Sequence, residues 1–130
     1  WQPTVPGTYA FSIRVEDGQG GSAEQSFEVV VEGDVNRPPV VNADPVRMTR
    51  PDVPLEIVAS ALLANDTDPD GNALSISAFA GTTASGGTVT RPSAGTFVYT
   101  PKAGFIGADT WTYVVADGAG GTAEGTLTIE

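Results

Sequence analysis

Phe11-Ser12-Ile13-Arg14-Val15-Glu16-Asp17-Gly18-Gln19-Gly20-Gly21-Ser22-Ala23-Glu24 returns, 100 residues later and without a gap, as Trp111-Thr112-Tyr113-Val114-Val115-Ala116-Asp117-Gly118-Ala119-Gly120-Gly121-Thr122-Ala123-Glu124. An internal repeat of this length organises the reading of everything around it. In the first copy Tyr9, Phe11, Ile13 and Val15 alternate with polar residues, and Phe27, Val29 and Val31 answer them after the turn. In the second copy Trp111, Tyr113 and Val115 ascend and Leu127 and Ile129 descend. A period of two over such runs describes a half-buried antiparallel hairpin. The glycines after Asp17 and Asp117 supply the positive φ that the turns require. Further upstream, Trp1-Gln2-Pro3 is similar to Tyr99-Thr100-Pro101 when two residues are dropped between Pro3 and Gly7.

Between the copies, Gly33-Asp34-Val35-Asn36-Arg37-Pro38-Pro39 is polar, aperiodic and ends in two prolines, so residues 33–39 read as a stiff linker. Beyond it the pattern predicts a short edge strand at residues 46–49 and a strand at 55–59. Prolines at 45, 51 and 54 keep both near an edge. Ala61-Leu62-Leu63 reads as an apolar turn plugging a core, followed by an acidic loop at 65–71. Leu74 and Ile76, then Val89, then Phe97 and Tyr99 supply inward positions on three further strands, with turns at Gly86-Gly87 and Ser93-Ala94-Gly95. The expectation is all-β: a seven-strand antiparallel immunoglobulin-like sandwich over residues 40–130. Residues 1–32 are then the last two strands of a preceding repeat. Such a hairpin is marginal alone in water and needs cover, from its own polypeptide or from another chain.

Composition narrows the function classes. The chain has 130 residues, 17% of them charged, and a net charge of −10. That charge opposes nucleic-acid backbones and anionic membranes, and suits cations or basic proteins. There is no cysteine and no histidine, which removes disulfides, thiolate chemistry, the commonest general base and the commonest transition-metal ligand. No apolar run approaches the roughly 20 residues of a membrane span. Trp1 opens the chain without Met or a signal-peptide pattern, as in a fragment or processed product.

Several stretches carry a family resemblance. Asn36-Arg37-Pro38-Pro39-Val40 and Leu62-Leu63-Ala64-Asn65-Asp66-Thr67-Asp68-Pro69-Asp70-Gly71 are similar to the opening of bacterial cadherin-like and immunoglobulin-like tandem repeats. Phe97-Val98-Tyr99-Thr100-Pro101, Gly104-Phe105-Ile106-Gly107 and Asp109-Thr110-Trp111-Thr112-Tyr113 are similar to their closing half. Residues 36–130 carry this resemblance, while 1–35 resemble the end of a related cadherin- or dystroglycan-type repeat. Repeats of this kind occur in large surface adhesins and secreted multidomain proteins, which implies an extracellular, cell-surface location.

In a sandwich of this type the loop after the second strand and the last hairpin turn lie where the preceding linker enters. Asp66, Asp68, Asp70 and Asp117 are therefore expected near Asp34 and Asn36. Carboxylates gathered without a cation repel one another, and hard oxygen ligands in flexible geometry favour Ca²⁺ over Mg²⁺. The resemblance to animal cadherins implies the same residues: their linker Asp-x-Asn matches Asp34-Val35-Asn36, their Asp-x-Asp matches Asp66-Thr67-Asp68, and the aspartate before their last turn matches Asp117. Their acidic motif from the preceding domain has no counterpart in residues 1–32, so one or two ions are expected rather than three. Asp17 shares the motif, but its own site is expected to be empty or incomplete. Asp70-Gly71 and Asp117-Gly118 are equally ordinary turn dipeptides, which leaves a purely structural role open.

The function these residues imply is a stalk or spacer repeat of a bacterial adhesin or surface filament, stiffened by calcium at the joint, and not an enzyme. Its partners are neighbouring repeats of the same chain, with like subunits of a filament or a host or surface ligand beyond them. The alternative is a carbohydrate- or ligand-binding accessory module of a secreted hydrolase. That role needs an exposed aromatic row, whereas Trp1, Tyr99, Trp111 and Tyr113 alternate mostly inward.

Overall fold

The computed structural model describes residues 5–33 and 35–130, which form two compact units, Trp1–Val35 and Asn36–Glu130. In the first, strands β1 (Gly7–Glu16) and β2 (Ser22–Val31) form an antiparallel hairpin, in register from Gly7 opposite Val31 to Glu16 opposite Ser22. Phe11 and Phe27 stand opposite each other with stacked rings 5.5 Å apart. Among the described residues no further strand joins its sheet; Ile13 is 56% and Phe27 43% exposed, while Tyr9 and Phe11 are half-buried.

The second unit holds strands β3 (Leu55–Val58), β4 (Ser75–Phe79), β5 (Thr88–Ser93), β6 (Thr96–Thr100), β7 (Asp109–Ala116) and β8 (Thr122–Ile129). They make two antiparallel three-stranded sheets, ordered β3-β6-β5 and β4-β7-β8. The inward residues of one sheet, Ile57, Val89, Phe97 and Tyr99, meet those of the other, Ile76, Trp111, Tyr113, Val115, Leu127 and Ile129, in one buried cluster. Alternation decides which residues enter it, since β7 buries every second side chain along its length. At its centre Phe97 and Trp111 lie 5.1 Å apart, and the Trp111 indole Nε1 donates to the Ala80 carbonyl at 2.8 Å. The chain leaves β3 through a helical turn, α1 (Ala59–Leu62), and a 3-10 turn, Leu63–Asn65. This segment is the apolar plug, and Leu62 is fully enclosed.

The all-β sandwich agrees with the sequence reading, but the strand count does not. The described residues hold eight strands, six of them in the second unit, where seven were expected. The missing one is the edge strand at residues 46–49. It survives as three backbone hydrogen bonds: Arg47 N to Thr128 O, Glu130 N to Arg47 O and Thr49 N to Glu130 O, at 3.0, 2.8 and 2.7 Å. The bridge they form with β8 runs parallel. Pro45 and Pro51 lack the N–H groups that would carry the ladder further, so the strand stops at a bridge. Among the described residues no helix is long and apolar enough to cross a membrane.

Candidate functional site

The loops named from sequence are built around short backbone motifs. Asp117, at the end of β7, closes its own turn: its Oδ1 accepts from the N–H groups of Ala119 and Gly121 at 2.7 and 2.9 Å. Its Oδ2 accepts from the Asn36 amide at 2.7 Å, and the Asn36 Oδ1 accepts in turn from Asn72 Nδ2 at 3.0 Å. The Asn36 amide, followed by the two turn N–H groups, holds the Asp117 carboxyl below the usual carboxylate range. Gly121 is required here because a Cβ would lie 2.8 Å from the Pro38 Cα.

The acidic loop repeats the device. Asp68 Oδ1 accepts from the N–H groups of Asp70 and Asn72 at 2.9 and 3.1 Å, and Gly71 follows with φ +78°. Asp70 is paired with Arg37: Nε and Nη2 donate to its Oδ1 at 2.9 and 2.7 Å, and the Arg37 backbone N–H donates to Oδ2 at 2.6 Å. The Arg37 side chain, then its backbone N–H, lower the Asp70 pKa. Thr67 is bridged to Val40 by backbone hydrogen bonds in both directions. Asp66 Oδ1 accepts from the Asn42 N–H at 2.9 Å.

Among the described residues, three carboxylate oxygens are left over. Asp44 Oδ1, Asp66 Oδ2 and Asp68 Oδ2 are buried atoms without a hydrogen-bond partner. The other oxygen of Asp44 accepts a short hydrogen bond from the Tyr113 hydroxyl. Burial raises the Asp44 pKa, and the neighbouring Asp66 charge adds to the rise, against the lowering effect of the Tyr113 hydrogen bond. Burial and the Asp44 hydrogen bond likewise push the Tyr113 hydroxyl up.

The structure thus brings Asn36, Asp68 and Asp117 into one hydrogen-bonded chain through Asn72, sets Asp70 on Arg37, and places Asp66 beside Asp44. Asp34 lies outside the described residues. Among the described residues no three acidic side chains are grouped so as to hold a metal ion. The donors that neutralise the loops are Arg37, Asn36, Asn72 and turn N–H groups. A hard cation would find uncommitted oxygens on Asp66 and Asp68, while Asp70 and Asp117 would have to give up protein donors to reach it.

Two acidic residues with large structural consequences were not singled out from sequence. Asp44 is one. The other is Asp109, 1% exposed at the start of β7, whose Oδ2 accepts from the Thr83 and Tyr99 hydroxyls at 2.5 and 2.9 Å and whose Oδ1 accepts from the N–H groups of Ser85 and Thr110, each at 2.8 Å. Burial opposes its ionisation, but these four donors prevail and its pKa is lowered. Tyr99 is pushed up to about 12 by burial and by Asp109. The signal was present in the alternation: Asp109 and Asp117 are in phase with Trp111, Tyr113 and Val115.

Among solved structures, the chain is similar to the endo-fucoidan hydrolase MfFcnA4 of glycoside hydrolase family 107, at 17% identity and a TM-score of 0.42 over 97% of this chain and 19% of that one. Endo-fucoidan hydrolase MfFcnA9 is similar at 14% identity and a TM-score of 0.41, over 97% of this chain and 22% of that one. The chain therefore spans about a fifth of the length of these enzymes. No curated protein matches it in sequence. The model of the bacterial Ig domain matches residues 36–130, and the chain belongs to that family.

Proposed function

We propose that residues 36–130 form a spacer repeat of an extracellular bacterial surface protein, and that calcium bound at its Asn36 end stiffens the linker. Bacterial Ig domains are typically non-catalytic modules, and what the sandwich offers a long extracellular chain is length and rigidity. The observation that supports an ion is the pair of orphaned oxygens on Asp66 and Asp68. A buried carboxylate oxygen with no donor is costly, and the chain's net charge of −10 adds to that cost. Ca²⁺ would supply the missing positive charge. The residues that would hold it are those named from sequence, Asp34, Asn36, Asp66, Asp68, Asp70 and Asp117, with Asp66 and Asp68 bearing the uncommitted atoms.

Extracellular modules bind calcium with Kd of about 10⁻⁴–10⁻³ M. At tenfold excess over Kd, one site contributes about 1.4 kcal/mol. The test is thermal melting and calorimetric titration of the chain in millimolar calcium against a chelator. Calcium is expected to raise the melting temperature, and Asp66→Asn with Asp68→Asn to abolish both the heat and the shift. An unchanged melting temperature in the two conditions overturns the ion and leaves a plain spacer. The carbohydrate-binding alternative finds less support: of the four aromatics a sugar platform would expose, Tyr99, Trp111 and Tyr113 are 2%, 0% and 1% accessible, and Trp1 lies outside the described residues.

A further inference from the structure

The segment that enters the second unit is fastened to the acidic loop along its length. Val40 and Thr67 exchange backbone hydrogen bonds at 2.8 and 3.1 Å. Asn42 donates its backbone N–H to Asp66 and its side-chain amide to the Asn65 carbonyl, and Asn65 returns the contact through Nδ2 to the Ala43 carbonyl at 2.9 Å. All of these donors are neutral. Arg37 is the exception, and among the described residues no other cation forms a salt bridge to the loop.

What Arg37 engages is a set of oxygens rather than one. Its side chain reaches Asp70 Oδ1 through Nε and Nη2, its backbone N–H takes Oδ2, and Nη2 also donates to the Pro69 carbonyl at 2.5 Å. A carboxylate with a backbone carbonyl beside it is the donor set that a hard cation collects. The guanidinium therefore stands where this part of the loop needs positive charge. Pro38 and Pro39 follow it and fix φ at two successive residues, so a pull on Arg37 is passed to the Val40 bridge through a stiff link.

We infer that Arg37 is the resident counter-cation of the acidic loop: it clamps the entering segment to the loop without metal, and it competes with calcium for Asp70. The competition rests on the calcium reading above; the clamp does not. The Arg37 side chain is 60% and that of Asp70 27% exposed, and a pair this open to water contributes little. Exchange of one cation for the other is therefore within reach of the weak affinity of extracellular calcium modules, about 10⁻⁴–10⁻³ M. The uncommitted oxygens of Asp66 and Asp68 require no such exchange, so it is through Asp70 that Arg37 sets the affinity. The entering segment is then held at low calcium by the guanidinium and at high calcium by the ion.

The test uses the 130-residue chain with Arg37→Gln, which removes the charge, and with Arg37→Lys, which keeps the charge and loses the planar fork. In chelator, amide exchange at Val40 and Thr67 is expected to be about tenfold faster in both variants than in the native chain. Exchange at Trp111 and Val115 in β7 should stay unchanged and reports that the sandwich is folded. Native-like exchange at Val40 and Thr67 in Arg37→Gln overturns the clamp. In calorimetric titration with calcium chloride, both variants are expected to bind about tenfold more tightly, since a competitor has been removed. An affinity unchanged in Arg37→Gln overturns the competition. So does tightening in Arg37→Gln with native affinity in Arg37→Lys, which assigns the effect to charge at a distance. If none of the three chains takes up calcium, the ion fails and the competition with it, while the chelator measurement still decides the clamp.

Discussion

The hairpins β1-β2 and β7-β8 share a sequence, a register and a turn, and differ in almost everything that energy depends on. Asp17 and Asp117 each cap their own turn through Oδ1, taking two N–H groups at 2.7 to 2.9 Å. The glycines that follow have the same sign of φ, +76° at both Gly18 and Gly118, and +98° and +106° at Gly20 and Gly120. Yet Val15 is 65% exposed where Val115 is fully enclosed. Local sequence specifies the hairpin, and only the strands around it decide whether the hairpin is worth anything. Substitutions at paired positions can therefore separate what the turn contributes from what the sandwich contributes.

The widest separation is expected at Trp111 and Phe11. Trp111→Ala removes the centre of an aromatic cluster that includes Phe79, Phe97 and Tyr113, and should cost the second unit about 3–5 kcal/mol in urea unfolding. Phe11→Ala should leave that transition unmoved. Equal losses at the two sites would mean that the second unit depends on the first.

Asp109 comes next, because the first hairpin has Tyr9 in its place and so lacks the whole network. Asp109→Asn keeps the shape but offers one acceptor oxygen to four donors, and orphaned donors at a buried site should cost about 3 kcal/mol. The sign with pH follows from the lowered pKa. The folded value lies below the ordinary 3.8, so this stabilisation is complete above pH ~4 and is lost as pH falls through the folded pKa. Unfolding curves between neutrality and pH ~3 should therefore be steeper with pH for the native chain than for Asp109→Asn.

A smaller and more specific effect is expected from exchanging a cross-strand pair, Tyr113 opposite Gly125 where the first hairpin has Ile13 opposite Gln25. Gly125→Gln copies Gln25 onto a position already filled by the Tyr113 ring, and overpacking should cost about 2 kcal/mol. Adding Tyr113→Ile, which copies Ile13, should recover part of that loss. A double-mutant cycle with no coupling would mean that the two positions do not share one volume.

Much of this was legible in the sequence, and the reason is periodicity. The inward residues of β7 and β8, the plug at Leu62 and the glycine turns all follow from alternation and turn chemistry, which act over a few residues. What the pattern could not give depends on neighbours distant in sequence. The strand at 46–49 has the composition of an edge strand, but its length was set by which N–H groups Pro45 and Pro51 withhold from β8. Asp109 lies in phase with Trp111, yet its four donors come from residues 83, 85, 99 and 110. Arg37 was read as part of a linker and of the repeat's opening motif, not as a partner of Asp70, and its pairing with Asp70 removes that carboxylate from the pool a cation could use.

The smallest effect concerns the one hydrogen bond that distinguishes the two capping aspartates. Asp17 has its pKa lowered by backbone N–H groups alone, that of Gln19 first. Asp117 is lowered by the Asn36 amide first, with desolvation acting against it. Asn36→Ala removes that donor, so carboxyl titration by NMR should show Asp117 moving up toward the ordinary range while Asp17 stays where it is. Because a lowered carboxylate pKa stabilises above the unfolded value and is lost as pH falls, the same substitution should narrow the acid stability of the second unit slightly. If Asp117 titrates unchanged without Asn36, the turn alone sets its ionisation, and the two hairpins then differ in their cover and not in their caps.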